Sequence, residues 1–340
     1  QGTCEPKMQY ELYPGSYSYK YPVAGERNSV VTLHSYDVDN RKTKDITFSD
    51  SRIEYIPRIA YAGTPERLVV TTLNRAQNRM EMYVVNPKST VSKSLYVDEN
   101  NSGWIDPIAW EGTRLYDDFF IVMSEKSGYN HLYQYSYSGA QMRQITSGDY
   151  DVTDYYGYDR ATATHYYQST VSGPLNRVVS KVDAKGKVTT IGNDKGTTSL
   201  VCAPDMSYYT MVYNNVTTPS VFTLCNASGK QLRVLEDNRE YLSRYGSLPV
   251  KEFFTVNSDG YALNASILKP SDFNPSRRYP VIMSQYSGPG SQEVLDRWHM
   301  DWDYYFVTQG YIVITVDGRG TGGRGKEFKN IVYRNLGHYE

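Results

Sequence analysis

Three shortages in this sequence each exclude a class of protein. There are only three cysteines in 340 residues, too few for a small domain held together by disulfides. The net charge is −1, which gives no basic surface for nucleic acid. No uninterrupted apolar run approaches the roughly 20 residues that a membrane-spanning helix needs. We therefore expect no nucleic-acid partner and no membrane span in this segment.

The three cysteines, Cys4, Cys202 and Cys225, leave at least one thiol unpaired. The strand pattern places Cys202 on the first strand and Cys225 on the third strand of one sheet. Strands two apart lie roughly 9–10 Å from each other, beyond the Cα separation of about 7 Å that a disulfide can bridge. We therefore expect no internal disulfide, and the few cysteines leave a periplasmic or extracellular location open.

Tyrosine is common instead, with 34 residues. Its ring suits a half-buried sheet surface and its hydroxyl reaches water or a backbone partner, so the composition indicates a β-rich protein. The first residue is Gln rather than Met, so any signal peptide has been removed or lies outside this segment. We expect an exported protein, either periplasmic or extracellular.

Strand patterns recur before residue 245. Alternating segments centred on Tyr83, Tyr133, Val179 and Phe222 are separated by 50, 46 and 43 residues. Periods of that size with several strands each are typical of β-propeller blades, and about four blades fit between residues 51 and 242. An irregular two-sheet β-sandwich with similar hairpin spacing is the alternative.

The last third of the sequence has a different pattern. Two short, continuously apolar runs, Val281–Met283 and Ile312–Val316, suit strands of a parallel sheet that is covered on both faces. Between them, residues 293–309 place apolar and aromatic side chains three and four apart, which predicts a helix. Strand, helix and strand make one right-handed crossover unit, as in any doubly wound α/β protein.

A glycine-rich loop follows each of these two strands. In α/β-hydrolases one donor of the oxyanion hole comes from the loop after the third strand, and here that loop would begin at Tyr286. Its phenolic O–H could donate to a developing negative charge. A tyrosine at a strand end is more often a packed aromatic residue, so the residue type alone does not decide between these roles.

Three motifs carry a resemblance to a known family. They are LRVLEDN at Leu232–Asn238, YSGPGSQ at Tyr286–Gln292 and DGRGTG at Asp317–Gly322. In sequence, order and spacing they resemble the dipeptidyl peptidase IV family of prolyl-oligopeptidase-like serine peptidases. The resemblance extends along essentially the whole chain, although it is diffuse before residue 230.

The resemblance implies a fold and an activity. Members join an eight-bladed β-propeller to an α/β-hydrolase domain and remove N-terminal dipeptides whose second residue is proline or alanine. Here it implies a partial β-propeller of about four blades over residues 1–245, then the start of an α/β-hydrolase domain over residues 246–340. It implies no metal or organic cofactor. The implied partners are peptide substrates with penultimate Pro or Ala and a second copy of the chain in a homodimer.

The resemblance also assigns site residues. Tyr286 matches the oxyanion-hole tyrosine, and Asp317 and Arg319 match an active-site loop whose role is structural, with Arg319 tying loops together. The family's nucleophile sits in a Gly-x-Ser-x-Gly elbow, which is absent from this sequence, and the Asp and His of the triad follow the Ser along the chain. We therefore expect the triad beyond Glu340 and the acidic pair that binds the substrate's amino group before Gln1. This segment alone is expected to be inactive.

Other interpretations stay open at this point. One is a free-standing propeller that binds partners without catalysis, and another is a related prolyl endopeptidase or acylaminoacyl peptidase. For the homodimer, the aromatic segment Tyr10–Pro22 corresponds in order to the propeller arm through which related peptidases dimerise, and exposed aromatic patches usually mark interfaces.

The five histidines invite metal or catalytic roles, but none shares a ligand-type spacing with another His, Cys or carboxylate. We expect each to be a surface or sheet residue: His34, His131, His165, His299 and His338.

Overall fold

The computed structural model describes residues 3–4, 7–8, 12–13, 15–16, 18–21, 23–245 and 247–340, with residues 3–4 and 7–8 as backbone only. The chain divides into two compact units, Gln1–Val97 and Asp98–Glu340. The domain boundary that the sequence predicts between residues 245 and 246 lies within the second unit and stays a prediction.

The first unit, as far as the structure describes it, has short hairpins followed by a four-stranded antiparallel sheet. Its first strands are β1 (Thr3–Cys4), β2 (Lys7–Met8), β3 (Gly15–Ser16) and β4 (Tyr19–Lys20), in which β1 pairs with β4 and β2 with β3. A hairpin follows, made of β5 (Leu33–Asp37) and β6 (Lys42–Ile46). The first sheet contains β7 (Ile53–Ala62), β8 (Thr64–Asn74), β9 (Arg79–Val85) and β10 (Ser92–Glu99), of which the last two residues of β10 fall in the second unit.

The described part of the second unit contains three more four-stranded antiparallel sheets. Helix α1 (Ile108–Glu111) precedes the second sheet, which contains β11 (Arg114–Leu115), β12 (Phe119–Ser124), β13 (His131–Ser136) and β14 (Gln141–Gln144). The third sheet contains β15 (Val152–Asp159), β16 (Thr164–Ser169), β17 (Val178–Val182) and β18 (Val188–Ile191). The fourth contains β19 (Thr197–Cys202), β20 (Tyr208–Asn215), β21 (Thr218–Asn226) and β22 (Gln231–Glu236), and helix α2 (Arg239–Tyr245) follows it.

These four sheets repeat as the sequence predicts. The residues that align the predicted repeats all lie on the third strand of a sheet, Tyr83 on β9, Tyr133 on β13, Val179 on β17 and Phe222 on β21. Each sheet is built from consecutive antiparallel strands. Separate sheets of this kind are typical of propeller-like blades rather than of a two-sheet sandwich.

Packing between the second and third sheets explains their aromatic inner strands. Strands β12 and β16 are buried along their whole lengths. Phe119 and Ile121 of β12 share one buried cluster with Tyr155 and Tyr167 of the third sheet. Tyrosine suits this position because its ring fills the space while its hydroxyl finds a polar partner. The hydroxyl of Tyr155 lies 2.9 Å from Nδ1 of His165.

The C-terminal part of the second unit forms a mixed four-stranded sheet. Its strands are β23 (Glu252–Ser258), β24 (Tyr261–Leu268), β25 (Val281–Ser284) and β26 (Ile312–Val316), in the order β23-β24-β26-β25. Strands β25 and β26 run parallel, as the two apolar runs predict, but β25 is mostly exposed rather than covered on both faces. Helix α3 (Trp302–Thr308) lies between them in sequence and α4 (Gly325–Asn330) follows β26. None of the helices in the described part of the chain is long and apolar enough to cross a membrane.

Helix α3 is shorter than the sequence predicts. The apolar spacing predicts a helix over residues 293–309, whereas α3 begins only after its N-cap Asp301. Before that residue, backbone N–H groups bond outside the segment. The N–H of Glu293 donates to the Asp317 carboxylate, and that of Asp296 donates to the carbonyl of Leu175, just before β17 of the third sheet. N–H groups committed in this way cannot build the i to i−4 ladder of a helix, so this stretch is irregular.

The two described thiols lie where the strand pattern predicts. Cys202 ends β19 and Cys225 lies on β21, with Tyr209 of β20 directly opposite both. Both cysteines are free, and burial raises the pKa of the Cys202 thiol to about 11. The side chain of Cys4 lies outside the described residues.

Candidate active site

Tyr286 lies in the loop that follows the parallel strand β25. The strand ends at Ser284, and Tyr286 is 74% exposed. Its backbone N–H donates to Oε2 of Glu293 at 3.0 Å. Ser287 has a φ of 54°, in the left-handed region that few side chains adopt, so the chain turns sharply here. The loop therefore presents a phenol to solvent from an anchored backbone.

Gly288 makes room for the ring of Tyr286. A Cβ atom at position 288 would lie 2.6 Å from Cε1 of Tyr286, far closer than van der Waals contact allows. The ring therefore lies directly against the backbone of Gly288, and any side chain at this position would displace it.

Asp317 is the first residue after β26 and is only 5% exposed. Its Oδ1 accepts the N–H of Glu293 at 2.9 Å, and its Oδ2 accepts the N–H of Val294 at 3.0 Å. Its own N–H donates to the carbonyl of Asn264 at 2.9 Å. Burial raises the pKa of the Asp317 carboxyl, and the two backbone donors oppose that rise. One buried side chain thus joins the end of β26 to the loop that contains Tyr286.

Backbone hydrogen bonds also join the two glycine-rich loops. The N–H of Gly290 donates to the carbonyl of Gly320, and the N–H of Gly322 donates to that of Ser291, both at 2.8 Å. A Cβ atom on Gly322 would lie 2.5 Å from the carbonyl oxygen of Gly290, and a backbone atom cannot move aside. Glycine is what allows the loops to lie side by side.

Arg319 contacts two segments besides its own loop. Its Nη2 lies 3.1 Å from Oδ2 of Asp259, and its Nε donates to the carbonyl of Tyr339 at 3.2 Å. The guanidinium carbon lies 5.6 Å and 5.0 Å from the ring centroids of Tyr261 and Tyr339, within the range of cation–π attraction.

The loop of Tyr286 is attached to the third sheet through Gln292. Its Nε2 donates to the carbonyl of Pro174 at 2.7 Å, and its Oε1 accepts from Nη2 of Arg177 at 2.5 Å. Burial lowers the pKa of Arg177 to about 10, so the guanidinium stays charged at neutral pH. These contacts connect the loop to the residues just before β17.

A cavity of about 210 Å³ is lined by the second and third sheets and both glycine-rich loops. Lys329 of α4 reaches it, with Nζ 2.6 Å from Oε1 of Glu125 and 2.9 Å from Oδ2 of Asp106. The N–H of Gly325 donates to Oδ2 of Asp151 at 2.8 Å. Burial by itself lowers the pKa of Lys329, but the two carboxylates more than offset this and hold it above its ordinary value.

The charged residues around this cavity are not predictable from the sequence. Lys329 is 204 residues from Glu125 and 223 from Asp106 along the chain. Arg177 is 115 residues from Gln292. No local spacing signals partners so far apart, whereas the glycine-rich motifs beside Tyr286 and Asp317 are visible because they are continuous.

The buried histidines are built into the sheets. His131 lies 3.1 Å from Oγ1 of Thr146 and 2.9 Å from the carbonyl of Gly148, and burial lowers its pKa. Burial lowers the pKa of His165 to about 3. Among the residues that the structure describes, no three His, Cys, Asp or Glu side chains gather as metal ligands would.

The fold has two parts. Propeller-like antiparallel sheets come first, and a mixed sheet with the Tyr286 loop follows them. Residues 4–220 match the model of the dipeptidyl peptidase IV (DPP IV) N-terminal region. Residues 298–340 match that of the prolyl oligopeptidase family. The chain belongs to the dipeptidyl peptidase IV family.

Similar solved structures and curated relatives agree with this. The crystal structure of dipeptidyl peptidase 4 from Porphyromonas gingivalis is 42% identical, with a TM-score of 0.93, covering 99% of this chain and 49% of that one. "Probable dipeptidyl-aminopeptidase B" from Arthroderma benhamiae is 30% identical over 98% of this chain and 39% of its own length. Its namesake from Emericella nidulans is 30% identical over 99% and 40%. The chain thus spans about two fifths of these curated relatives.

Proposed function

We propose that this chain is part of a serine-type dipeptidyl aminopeptidase that removes N-terminal dipeptides with proline or alanine in second position. In this proposal residues 1–245 are about four blades of a propeller, and residues 246–340 begin an α/β-hydrolase domain. The observation that carries it is the placement of Tyr286 in the loop directly after a parallel strand, in a chain of this family. That is where α/β-hydrolases place one oxyanion donor.

The proposed role of Tyr286 is to donate its phenolic O–H to the oxyanion of the tetrahedral intermediate. A serine attacks the carbonyl carbon of the penultimate residue, and the carbonyl oxygen becomes negatively charged. A donor already aimed at that oxygen stabilises the transition state more than the ground state, and this lowers the barrier. The exposed ring and the anchored backbone of Tyr286 suit a donor that must meet a substrate from solvent.

The rest of the catalytic machinery is proposed for other parts of the full-length protein. This sequence contains no Gly-x-Ser-x-Gly elbow, and the curated relatives are more than twice as long as the part matched here. In this fold the Ser, Asp and His of the triad follow one another in that order after the oxyanion loop. Asp317 and Arg319 are proposed as structural residues of the neighbouring loop, with no metal or organic cofactor.

Export and homodimer formation are also proposals. They rest on the family and, for the dimer, on the segment Tyr10–Pro22. Within it, Leu12 and Tyr13 are exposed, whereas the following residues lie outside the described ones: Tyr10, Glu11, Pro14, Tyr17 and Pro22. A monomeric mass for the full-length protein in solution would rule the dimer out.

The test of the proposed function is Tyr286→Phe in the full-length protein, with release of p-nitroaniline from Gly-Pro-p-nitroanilide as the measurement. Loss of one oxyanion donor lowers kcat by about 10²–10³, and we expect that range with little change in KM, because the ring still packs on Gly288. Tyr305→Phe, on the exposed face of α3, is the matched control and should keep full activity. Turnover of Tyr286→Phe within about twofold of the wild type would show that Tyr286 is only a surface aromatic residue.

A further inference from the structure

Two carboxylates lie one behind the other beneath the loop of Tyr286. The buried Asp317 carboxylate accepts the backbone N–H groups of Glu293 and Val294. The side chain of Glu293 in turn accepts the backbone N–H of Tyr286 at 3.0 Å. A relay of three hydrogen bonds thus runs from the end of β26 to the peptide unit that holds the phenol.

We propose that Glu293 and Asp317 are positioning residues that set where the hydroxyl of Tyr286 stands. This inference rests on the proposed role of Tyr286 as oxyanion donor and adds the residues that hold it in place. Asp317 fixes the backbone of Glu293, and Glu293 fixes the backbone of Tyr286.

The local backbone explains why such an anchor is needed. Ser287 has a φ of 54°, a conformation that the chain adopts only when its surroundings hold it there. The ring of Tyr286 lies against Gly288, where no side chain helps to clamp it. Tyr286 is otherwise largely exposed, so core packing does not fix its direction. A charge-assisted hydrogen bond at its N–H is the strongest kind available to hold the turn.

Glu293 makes the better test because its side chain is exposed. Its removal takes no packing from the core, and the fold should survive. Asp317 is buried, and a variant there leaves two backbone donors unpaired, so it could simply fail to fold. Glu293→Gln keeps an acceptor oxygen at the same place and serves as the conservative variant.

The experiment uses the full-length protein with Gly-Pro-p-nitroanilide and compares Glu293→Ala, Glu293→Gln, Tyr286→Phe and the double variant Tyr286→Phe/Glu293→Ala. We expect Glu293→Ala to lower kcat about tenfold, in line with a donor misplaced by a fraction of an ångström, with KM nearly unchanged. Glu293→Gln should recover most of the loss. Glu240→Ala, which removes an exposed carboxylate on α2, is the matched control and should leave kcat unchanged.

The double variant separates positioning from a general structural role. If Glu293 acts through the hydroxyl of Tyr286, then removing Glu293 after that hydroxyl has gone costs nothing further, and the double variant matches Tyr286→Phe. The proposal would be overturned if the losses in kcat of the two single variants multiply in the double variant, or if Glu293→Ala leaves kcat unchanged.

A crystal structure of Glu293→Ala distinguishes failure here from failure of the proposed function. If Tyr286→Phe proves silent, the oxyanion role fails, yet a displaced Tyr286 ring in Glu293→Ala still supports the relay. A Tyr286 ring in its original place overturns the relay, whatever the kinetics of Tyr286→Phe.

Discussion

At the scale of single residues, one hydroxyl carries the proposed chemistry and its neighbours determine where that hydroxyl stands. Gly288 leaves space for the ring of Tyr286, and Glu293 holds the backbone behind it. Asp317 and Gly322 act one step further away, since they hold the loop against its neighbour. The two glycines act through the absence of a side chain, and the two carboxylates act by accepting backbone N–H groups.

His165 makes the stability of the third sheet depend on pH. Burial, together with the smaller effect of the nearby Arg143, lowers its pKa to about 3, against about 6.5 in an unfolded chain. Between those values the unfolded chain binds a proton that the folded chain does not. The free energy of unfolding should therefore fall as the pH drops from about 6.5 towards 3, by up to about 1.4 kcal/mol per pH unit from this residue.

This is measured as the thermal midpoint of the full-length protein between pH 7.5 and pH 4.5. His165→Asn, whose amide oxygen can take the place of Nδ1 beside Tyr155, should give a flatter curve than the wild type. His34→Asn, a change at an exposed histidine, is the control and should keep the wild-type slope. Equal slopes for all three proteins would show that His165 is protonated freely in the folded state.

At the scale of elements, helix α4 is attached through the ion pairs of Lys329. Lys329 is 13% exposed and its partner Glu125 is 14% exposed, with Asp106 as the second carboxylate. Removing one partner of a buried pair leaves the other charge uncompensated, which costs more than the pair itself contributes. The contact therefore matters for the attachment of α4 to the second sheet more than its net energy suggests.

Lys329→Met should accordingly lower the stability of the full-length protein by on the order of 3 kcal/mol, the lower part of the range for breaking a buried pair. The double variant Lys329→Met/Glu125→Gln should recover part of this loss, because only Asp106 then remains unpaired. The measurement is the thermal midpoint at neutral pH. Lys88→Met breaks an exposed pair with Glu66 and should change stability by less than about 1 kcal/mol. A shift for Lys329→Met no larger than for this control would contradict the prediction.

The strands could be predicted from the sequence far better than the contacts between distant segments. The four repeat residues, Tyr83, Tyr133, Val179 and Phe222, were placed on equivalent strands because alternation and turn residues are local signals. Helix α3 was predicted too long because apolar spacing cannot reveal that the N–H of Glu293 bonds to Asp317. The pairing of Lys329 with Glu125 left no trace in the sequence, since it depends on how the sheets are arranged.

At the scale of the whole molecule, the chain contains the proposed oxyanion donor but no serine elbow. An oxyanion donor without a nucleophile cannot form an acyl-enzyme, and it offers at most weak polarisation of a bound carbonyl. Under the proposed function, the 340-residue chain therefore supplies Tyr286 but not the nucleophile.

The isolated chain should release no p-nitroaniline from Gly-Pro-p-nitroanilide, while the full-length protein should. Both proteins are assayed at equal concentration, with Tyr286→Phe of the full-length protein as the low-activity reference. Activity of the isolated chain that rises with its concentration and survives repurification would refute this and would place the nucleophile within these residues.

The contact between Lys329 and Glu125 can form only late in the synthesis of the chain. The two residues are 204 positions apart, and synthesis adds about 5–20 residues per second. Roughly 10–40 s therefore pass on the ribosome between the carboxylate and the lysine that neutralises it. During that interval the carboxylate of Glu125 stays hydrated. It can pair with Lys329 only after α4 has emerged from the ribosome.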